Sequence, residues 1–207
     1  MITLLIIATT GLVSYLAFSN PKLMNSLDLQ PFRIIENKEY LRILTHVFTH
    51  ADWMHLIVNM LVFWSFGSFI EHQFFQFQED GIIYSGTLHF IVLYFGGACF
   101  SIIDTLVKQR KNIYYHGVGA SGAVSAILFA SIFFQPWQKI YFFGILPIPG
   151  VIFALLYMVY SYYMDKKNID NTNHNAHFYG AFFGLLYPIV MEPSFLNFFI
   201  DRLLNPF

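Results

Sequence analysis

Three polar groupings interrupt an otherwise apolar chain, and their side chains are those that acyl transfer needs. Ser121 stands in Gly119-Ala120-Ser121-Gly122, His177 in Ala176-His177-Phe178-Tyr179-Gly180, and His55 precedes Asn59 by four residues. A serine hydroxyl is a weak nucleophile until a base takes its proton. His177, with an imidazole neutral near physiological pH, is the candidate base. His55 and Asn59 are one helical turn apart and share a face, so both can donate to an oxyanion, where one donor is typically worth ~10²–10³ in rate. A helix beginning at Ser121 adds free backbone N–H groups that attract the same developing charge. Gly119 and Gly122 let the backbone around Ser121 turn tightly. Gly180 and Gly184 form a small-xxx-small pair, which permits the close helix contact that would bring His177 against Ser121.

Each element alone has a plainer reading. Glycine and serine pack membrane helices everywhere, a spaced glycine pair is ordinary packing, and His55 with Asn59 can be interhelical glue. A single intramembrane histidine is as readily structural as functional. Their occurrence in this order, each near the start of an apolar stretch, is what favours chemistry.

The elements that must position them are membrane helices. Of 207 residues, 57% are hydrophobic and only 11% charged, against about a quarter charged in soluble domains. So few charges cannot clothe this much apolar surface, which excludes a soluble domain and disorder. The net charge, 11 − 12 = −1, carries no basic surface for nucleic acid. The single cysteine, Cys99, can form no internal disulfide.

Charges are separated by six long gaps, which run from Met1 to Pro21, Asp52 to Glu71, Gly81 to Ile103, Asn112 to Gln138, Ile140 to Met164, and Asn171 to Met191. A spanning helix needs about 20 mostly apolar residues. The gaps predict six spans, centred near residues 5–15, Met60, Leu93, Leu128, Leu156 and Leu185. In lipid the backbone must satisfy itself, so these are helices. The first lacks a basic leader and a small-residue cleavage site and reads as a retained helix. The expected fold is an all-α membrane protein, a six-transmembrane-helix bundle forming a single domain over residues 1–207. The one long connection, residues 19–52, carries amphipathic pieces at Leu27–Ile35 and Tyr40–Phe48 suited to the membrane interface. The other connections are short: Gln73–Asp80, Asp104–His116, Pro136–Lys139 and Asp165–Asn173. The second, fourth and sixth spans run the same way, so His55, Ser121 and His177 are expected at similar depth.

At these residues the sequence resembles the rhomboid family of intramembrane serine proteases. The second span carries H-x-x-x-N at His55–Asn59, the fourth G-x-S-G at Gly119–Gly122, and the sixth A-H-x-x-G at Ala176–Gly180. Arg42-Ile43-Leu44-Thr45 through Phe48-Thr49-His50 is similar to the family's lead-in to the second span. The resemblance implies a Ser–His dyad without a third acid. Ser121 would be the nucleophile and His177 the base, with His55, Asn59 and the Ser121 backbone N–H as the oxyanion hole. It also implies cleavage of transmembrane segments of other proteins in a lipid bilayer, near its outer face, with neither cofactor nor metal. Residues Asp165–Asn173 would form a cap, and Phe153, Tyr157 and Tyr160 of the fifth span a side gate. The implied setting is a multi-pass protein of the cell membrane.

Three features depart from the family. Leu41 stands where many members have tryptophan before Arg42. Ser125 stands where many have a tyrosine that stacks on the base, leaving Phe178 or Tyr179 as substitutes. The basic residues crowd the loops that the family faces outward, against the positive-inside rule; orientation here follows the family. Three rivals remain. One is an inactive relative that binds membrane clients. Another is a metal-dependent enzyme built on His46-x-x-x-His50 and His55. The third is a small transporter, which would show repeat symmetry and a charged coupling pair.

Overall fold

Hydrophobic content at this level, divided by polar caps and prolines, gives a mostly helical fold. The computed structural model describes residues 1–142, 144–167 and 172–205. Helix α1 (Ile2–Phe18) leads to three short helices, α2 (Pro21–Leu27), α3 (Pro31–Glu36) and α4 (Arg42–Thr45), and a 3₁₀ turn, His46–Phe48. Then come α5 (Trp53–Glu79), α6 (Gly86–Ser101), α7 (Ile103–Lys108) and α8 (Ser121–Phe134). A hairpin of β1 (Lys139–Phe142) and β2 (Leu146–Pro149) precedes α9 (Gly150–Lys167), α10 (His174–Met191) and α11 (Phe195–Leu204).

Among the described residues, two helical stretches, Trp53–Glu79 and Gly86–Lys108, are long and apolar enough to cross a membrane. A third qualifies if α10 and α11, bent by 119°, count as one span. Helices α1 and α8 are apolar but shorter.

Contacts between the helices give their directions. On α8, Gly122 meets Gly180 and Ala126 meets Gly184 of α10; the numbers rise together, so the two helices run parallel. Against α6, Gly122 meets Ser101 and Ala126 meets Gly97, an antiparallel pair. His55 lies on Gly119 while Phe74 meets Phe134, so α5 is parallel to α8. On α9, Tyr160 meets His174 and Tyr157 meets His177, antiparallel to α10. The N-termini of α5, α8 and α10 therefore lie at one end. At the centre is α8, with 13 of its 14 residues buried. Phe63, Phe74, Phe90 and Tyr94 of α5 and α6 form one core cluster with its own Phe133 and Phe134.

The boundaries differ from the sequence expectation in four places. Helix α5 does not end at Gln73: Phe74 and Phe77 are buried and carry it to Glu79, before Gly81 turns the chain at φ +71°. Residues 103–108 of the third connection form α7. The stretch expected to open the fifth span is instead the hairpin, with Lys139 opposite Pro149. Pro147 and Pro149 lack the N–H that a helix interior needs, so α9 starts only at Gly150. The piece expected at Leu27–Ile35 is split, because Pro31 opens a new helix.

Candidate active site

The three helices that carry the candidate residues begin differently. Helix α5 is capped by Asp52, whose Oδ1 accepts the His55 N–H at 2.8 Å. Helix α10 is capped by Asn173, whose Oδ1 accepts the Ala176 N–H at 3.0 Å. The Asn173 amide also donates to Thr105 Oγ1 at 2.8 Å and to the Tyr115 hydroxyl at 3.2 Å, tying this end of α10 to the 104–116 segment. These caps set the first turns that hold His55 and His177. Helix α8 has no side-chain cap and opens on Ser121 itself. An uncapped start leaves N–H groups of the first turn to meet an anion.

The backbone leading into Ser121 is held by the first connection. Gly119 N–H donates to the His46 carbonyl at 3.2 Å, and Ala120 N–H to His50 Nε2 at 3.4 Å. On its other side the His50 ring meets the Ser14 hydroxyl at 2.9 Å through Nδ1. Ser14 in turn donates to the Phe48 carbonyl at 2.8 Å, so the ring proton sits on Nδ1 and Nε2 is the acceptor. Burial pushes the His50 pKa down to about 3, with His55 adding to the effect, and pushes His46 down to about 4. Both rings are neutral at physiological pH.

Gly119 adopts φ +112°, a conformation for which glycine is suited. A methyl group there would also lie 2.6 Å from His55 Cε1 and 2.8 Å from its Nε2. The His55 ring thus rests on the turn before Ser121. Its Nδ1 accepts from the Ala51 N–H at 3.5 Å, which leaves the proton on Nε2, the nitrogen beside Gly119. Asn59 is buried and donates to the His55 carbonyl at 2.8 Å. One of its two N–H bonds therefore serves its own helix.

Between α8 and α10 the backbones touch. A Cβ on Gly180 would lie 2.2 Å from the Gly122 carbonyl oxygen, and one on Gly184 would lie 2.2 Å from that of Ala126. A Cβ on Gly122 would lie 2.2 Å from the Ser101 hydroxyl and 3.5 Å from the Ala176 carbonyl oxygen. Ser121 and His177 are the chain neighbours of these contacting residues, one on each side of the interface.

The His177 ring stacks on Tyr157 of α9, with centroids 6.2 Å apart and planes at 24°. The Tyr157 hydroxyl is hydrogen-bonded to Ser125 Oγ at 2.7 Å. Phe178 and Tyr179 do not take this place, since they pair with Tyr162 and Phe100. The aromatic partner comes from a facing helix, and the signal for it was the small residue at position 125. Residues 168–171 of the expected cap lie outside the described residues.

The resemblance pointed to Arg42 and to loop anchoring but not to the partners of its guanidinium. Its guanidinium is buried, donating to Asp28 Oδ1 at 2.8 Å and to the Asn25 and Asp28 carbonyls at 2.8 and 2.9 Å. Its Nε reaches Glu39 at 2.6 Å and holds that carboxyl below its ordinary pKa. The other Asp28 oxygen meets His116 at 2.7 Å, and Leu29 exchanges two backbone hydrogen bonds with Gly117. Leu41 is 77% exposed, so the anchoring here runs through Arg42 and not through the residue before it.

The model of the rhomboid domain matches residues 37–194. The chain is 25% identical to RHOMBOID-like protein 12, mitochondrial, of Arabidopsis thaliana, over 86% of this chain and 54% of that protein. It is 25% identical to Rhomboid protease GluP of Bacillus subtilis, over 87% of this chain and 33% of that protein. With Rhomboid protein 1, mitochondrial, of Saccharomyces cerevisiae the identity is 26%, over 77% and 45%. The matched region spans about half or less of these relatives. With a family match across most of its length, the chain belongs to the rhomboid family.

Proposed function

We propose that this protein is an intramembrane serine endopeptidase that cleaves transmembrane segments of other membrane proteins. Ser121 attacks the scissile carbonyl as His177 takes its proton, and His177 then protonates the leaving amine. The His55 Nε2–H, the second N–H of Asn59 and the Ser121 backbone N–H receive the oxyanion. One observation carries this reading: the parallel, glycine-lined contact of α8 with α10, which sets the helix starts bearing Ser121 and His177 side by side. The uncapped start of α8 and the His55 ring on Gly119 support it further.

The same reading makes residues 1–207 a single domain with six crossings, α1, α5, α6 with α7, α8, α9 and α10, and the first connection in the interface. At about 1.5 Å per residue, α8 is about 21 Å long, short of the roughly 30 Å hydrocarbon layer. Enclosed by its neighbours, it need not reach both faces, and its start lies below the headgroups where water can collect. Two relatives are named mitochondrial and one is bacterial. Family membership therefore narrows the setting to a bilayer and not to the cell membrane.

The test is purified protein in proteoliposomes with a transmembrane reporter. Cleavage by the wild type, lost in both Ser121→Ala and His177→Ala with melting unchanged, is expected. Cleavage by pure Ser121→Ala protein overturns the assignment. Reporter binding without cleavage by the wild type marks a client-binding relative instead.

A further inference from the structure

Position 125 lies one turn after Ser121 on the buried helix α8, and it holds a serine that is 3% exposed. A small side chain here leaves room over the start of α10, and the ring of Tyr157 enters from α9. Among the described residues that ring has three aromatic neighbours. It lies 5.3 Å from Phe129 of α8, 5.8 Å from Phe153 one turn earlier on its own helix, and 6.2 Å from His177. Its hydroxyl ends on Ser125 at 2.7 Å. The buried face of α9 around it is small, with Gly150, Ala154 and Ser161, which lets the helix settle closely on its neighbours.

We propose that Tyr157 is the positioning residue for the His177 imidazole, with Ser125 fixing the ring that does it. This rests on the dyad reading above. A flat ring on one face of an imidazole restricts its rotation about χ2, and the hydrogen bond at the far end stops the phenol from swinging away. Of the two ring torsions that a base must hold to receive a proton from Ser121, the stack fixes the one that backbone packing leaves soft. Because the ring is carried by α9, the stack exists only while α9 is seated against α8 and α10. A helix other than those bearing the dyad thus completes the base.

The experiment compares steady-state cleavage of the transmembrane reporter, and melting, in full-chain proteoliposomes. The variants are Tyr157→Leu, Tyr157→Phe, Ser125→Ala, and the double variant Ser125→Tyr/Tyr157→Leu. Loss of alignment of a reacting group can cost about 10²-fold. Tyr157→Leu is expected to lower kcat by about 10- to 100-fold with KM held within about twofold. Tyr157→Phe and Ser125→Ala keep the ring but each breaks the same hydroxyl hydrogen bond, so both are expected to lower kcat alike and by less than Tyr157→Leu. The double variant moves the aromatic ring onto α8 and should recover kcat relative to Tyr157→Leu. A merely structural tyrosine would show its loss in melting, and no rescue of kcat by ring placement.

Should Tyr157→Leu fail to fold, Tyr157→Phe and Ser125→Ala decide. Wild-type kcat in both, or loss in only one of the two, overturns the proposal. Wild-type kcat in folded Tyr157→Leu protein overturns it as well. If His177→Ala cleaves normally, the dyad falls and this proposal with it; a dyad that works without regard to Tyr157 removes this proposal alone.

Discussion

The Ala120 N–H donates to Nε2 of His50, and the opposite nitrogen of that ring meets the Ser14 hydroxyl. One fully buried imidazole therefore ties the first helix to the residue that precedes Ser121. The arrangement works only with a neutral ring, because a proton on Nε2 would face the Ala120 N–H, donor against donor. Replacing His50 with Ala should remove both bonds and leave a buried donor unpaired, a loss of about 1–3 kcal/mol in stability. Cleavage should fall with it, since the turn at Gly119 loses a fixed point. Thermal melting and reporter cleavage on the same preparation check this; unchanged values in both would show that the contact is idle.

Acid should act through the same ring and through His46. Both have folded pKa values below the ordinary imidazole value of 6.5, about 3 for His50 and about 4 for His46. The folded state binds fewer protons than the unfolded chain between those limits. The stability they contribute is present in full above about 6.5 and declines as pH falls toward about 4, by up to about 1.4 kcal/mol per pH unit for each ring. Melting scans between pH 7.5 and pH 4.5 (an about three-unit span that samples the window) should show a falling midpoint. The fall should be shallower in His50→Asn, and an identical slope in that variant would remove His50 as a cause.

The Gly122–Gly180 contact leaves no space for a single methyl group. Overpacking typically costs about 1–3 kcal/mol, occasionally more. Here the obstruction is backbone and cannot rotate away, so Gly180→Ala should reach the upper part of that range and Gly180→Val should exceed it. Both should lose cleavage. Gly11, with open space where a side chain would go, is the control: Gly11→Ala should melt at or above the wild-type temperature.

Asn59→Ala should weaken cleavage without abolishing it. In the proposed oxyanion hole the His55 and Ser121 donors would remain, and loss of one such donor is worth at most about 10²–10³ in kcat. Its bond to the His55 carbonyl lies within one helix, so melting should change little. Wild-type kcat in this variant would take Asn59 out of the oxyanion hole.

Arg42→Lys is not a mild change at this site. The guanidinium serves four oxygens in fixed directions, and an ammonium cannot reproduce the fork. Breaking a buried pair on one side costs about 3–5 kcal/mol, so Arg42→Ala should lose more stability than Arg42→Lys, and both should loosen the 115–120 segment. Hydrogen exchange at the Leu29 and Gly117 amides, which pair across this staple, reads that loosening directly. Protection kept in Arg42→Ala would show that the staple does not depend on the guanidinium.

What could be read from the sequence was whatever repeats at helical or bilayer spacing. Uncharged gaps located α1, α5, α6, α8, α9 and α10, and the order of His55, Ser121 and His177 within them anticipated three helix starts at one end. What escaped was decided by neighbours distant in sequence. Phe74 and Phe77 extended α5 because Phe134 and Phe195 were there to meet them. The hairpin displaced the start of α9, although Pro147 and Pro149 marked it locally. His46 and His50 carried a metal-like spacing, yet the structure uses His50 on Ser14 and Ala120, residues 36 and 70 positions away. The aromatic ring on His177 lay on another helix, and the small residue at position 125 showed only that it had to come from elsewhere.

Helix α8 touches protein on nearly all sides, whereas α9 has few buried positions among its described residues, Gly150, Ala154 and Ser161. Random mutagenesis should therefore return two opposite maps. Along α8 almost every replacement will be rejected, so intolerance there marks architecture as much as chemistry. Along α9 most positions will accept change, and an isolated intolerant site on that permissive background will point to function far more sharply.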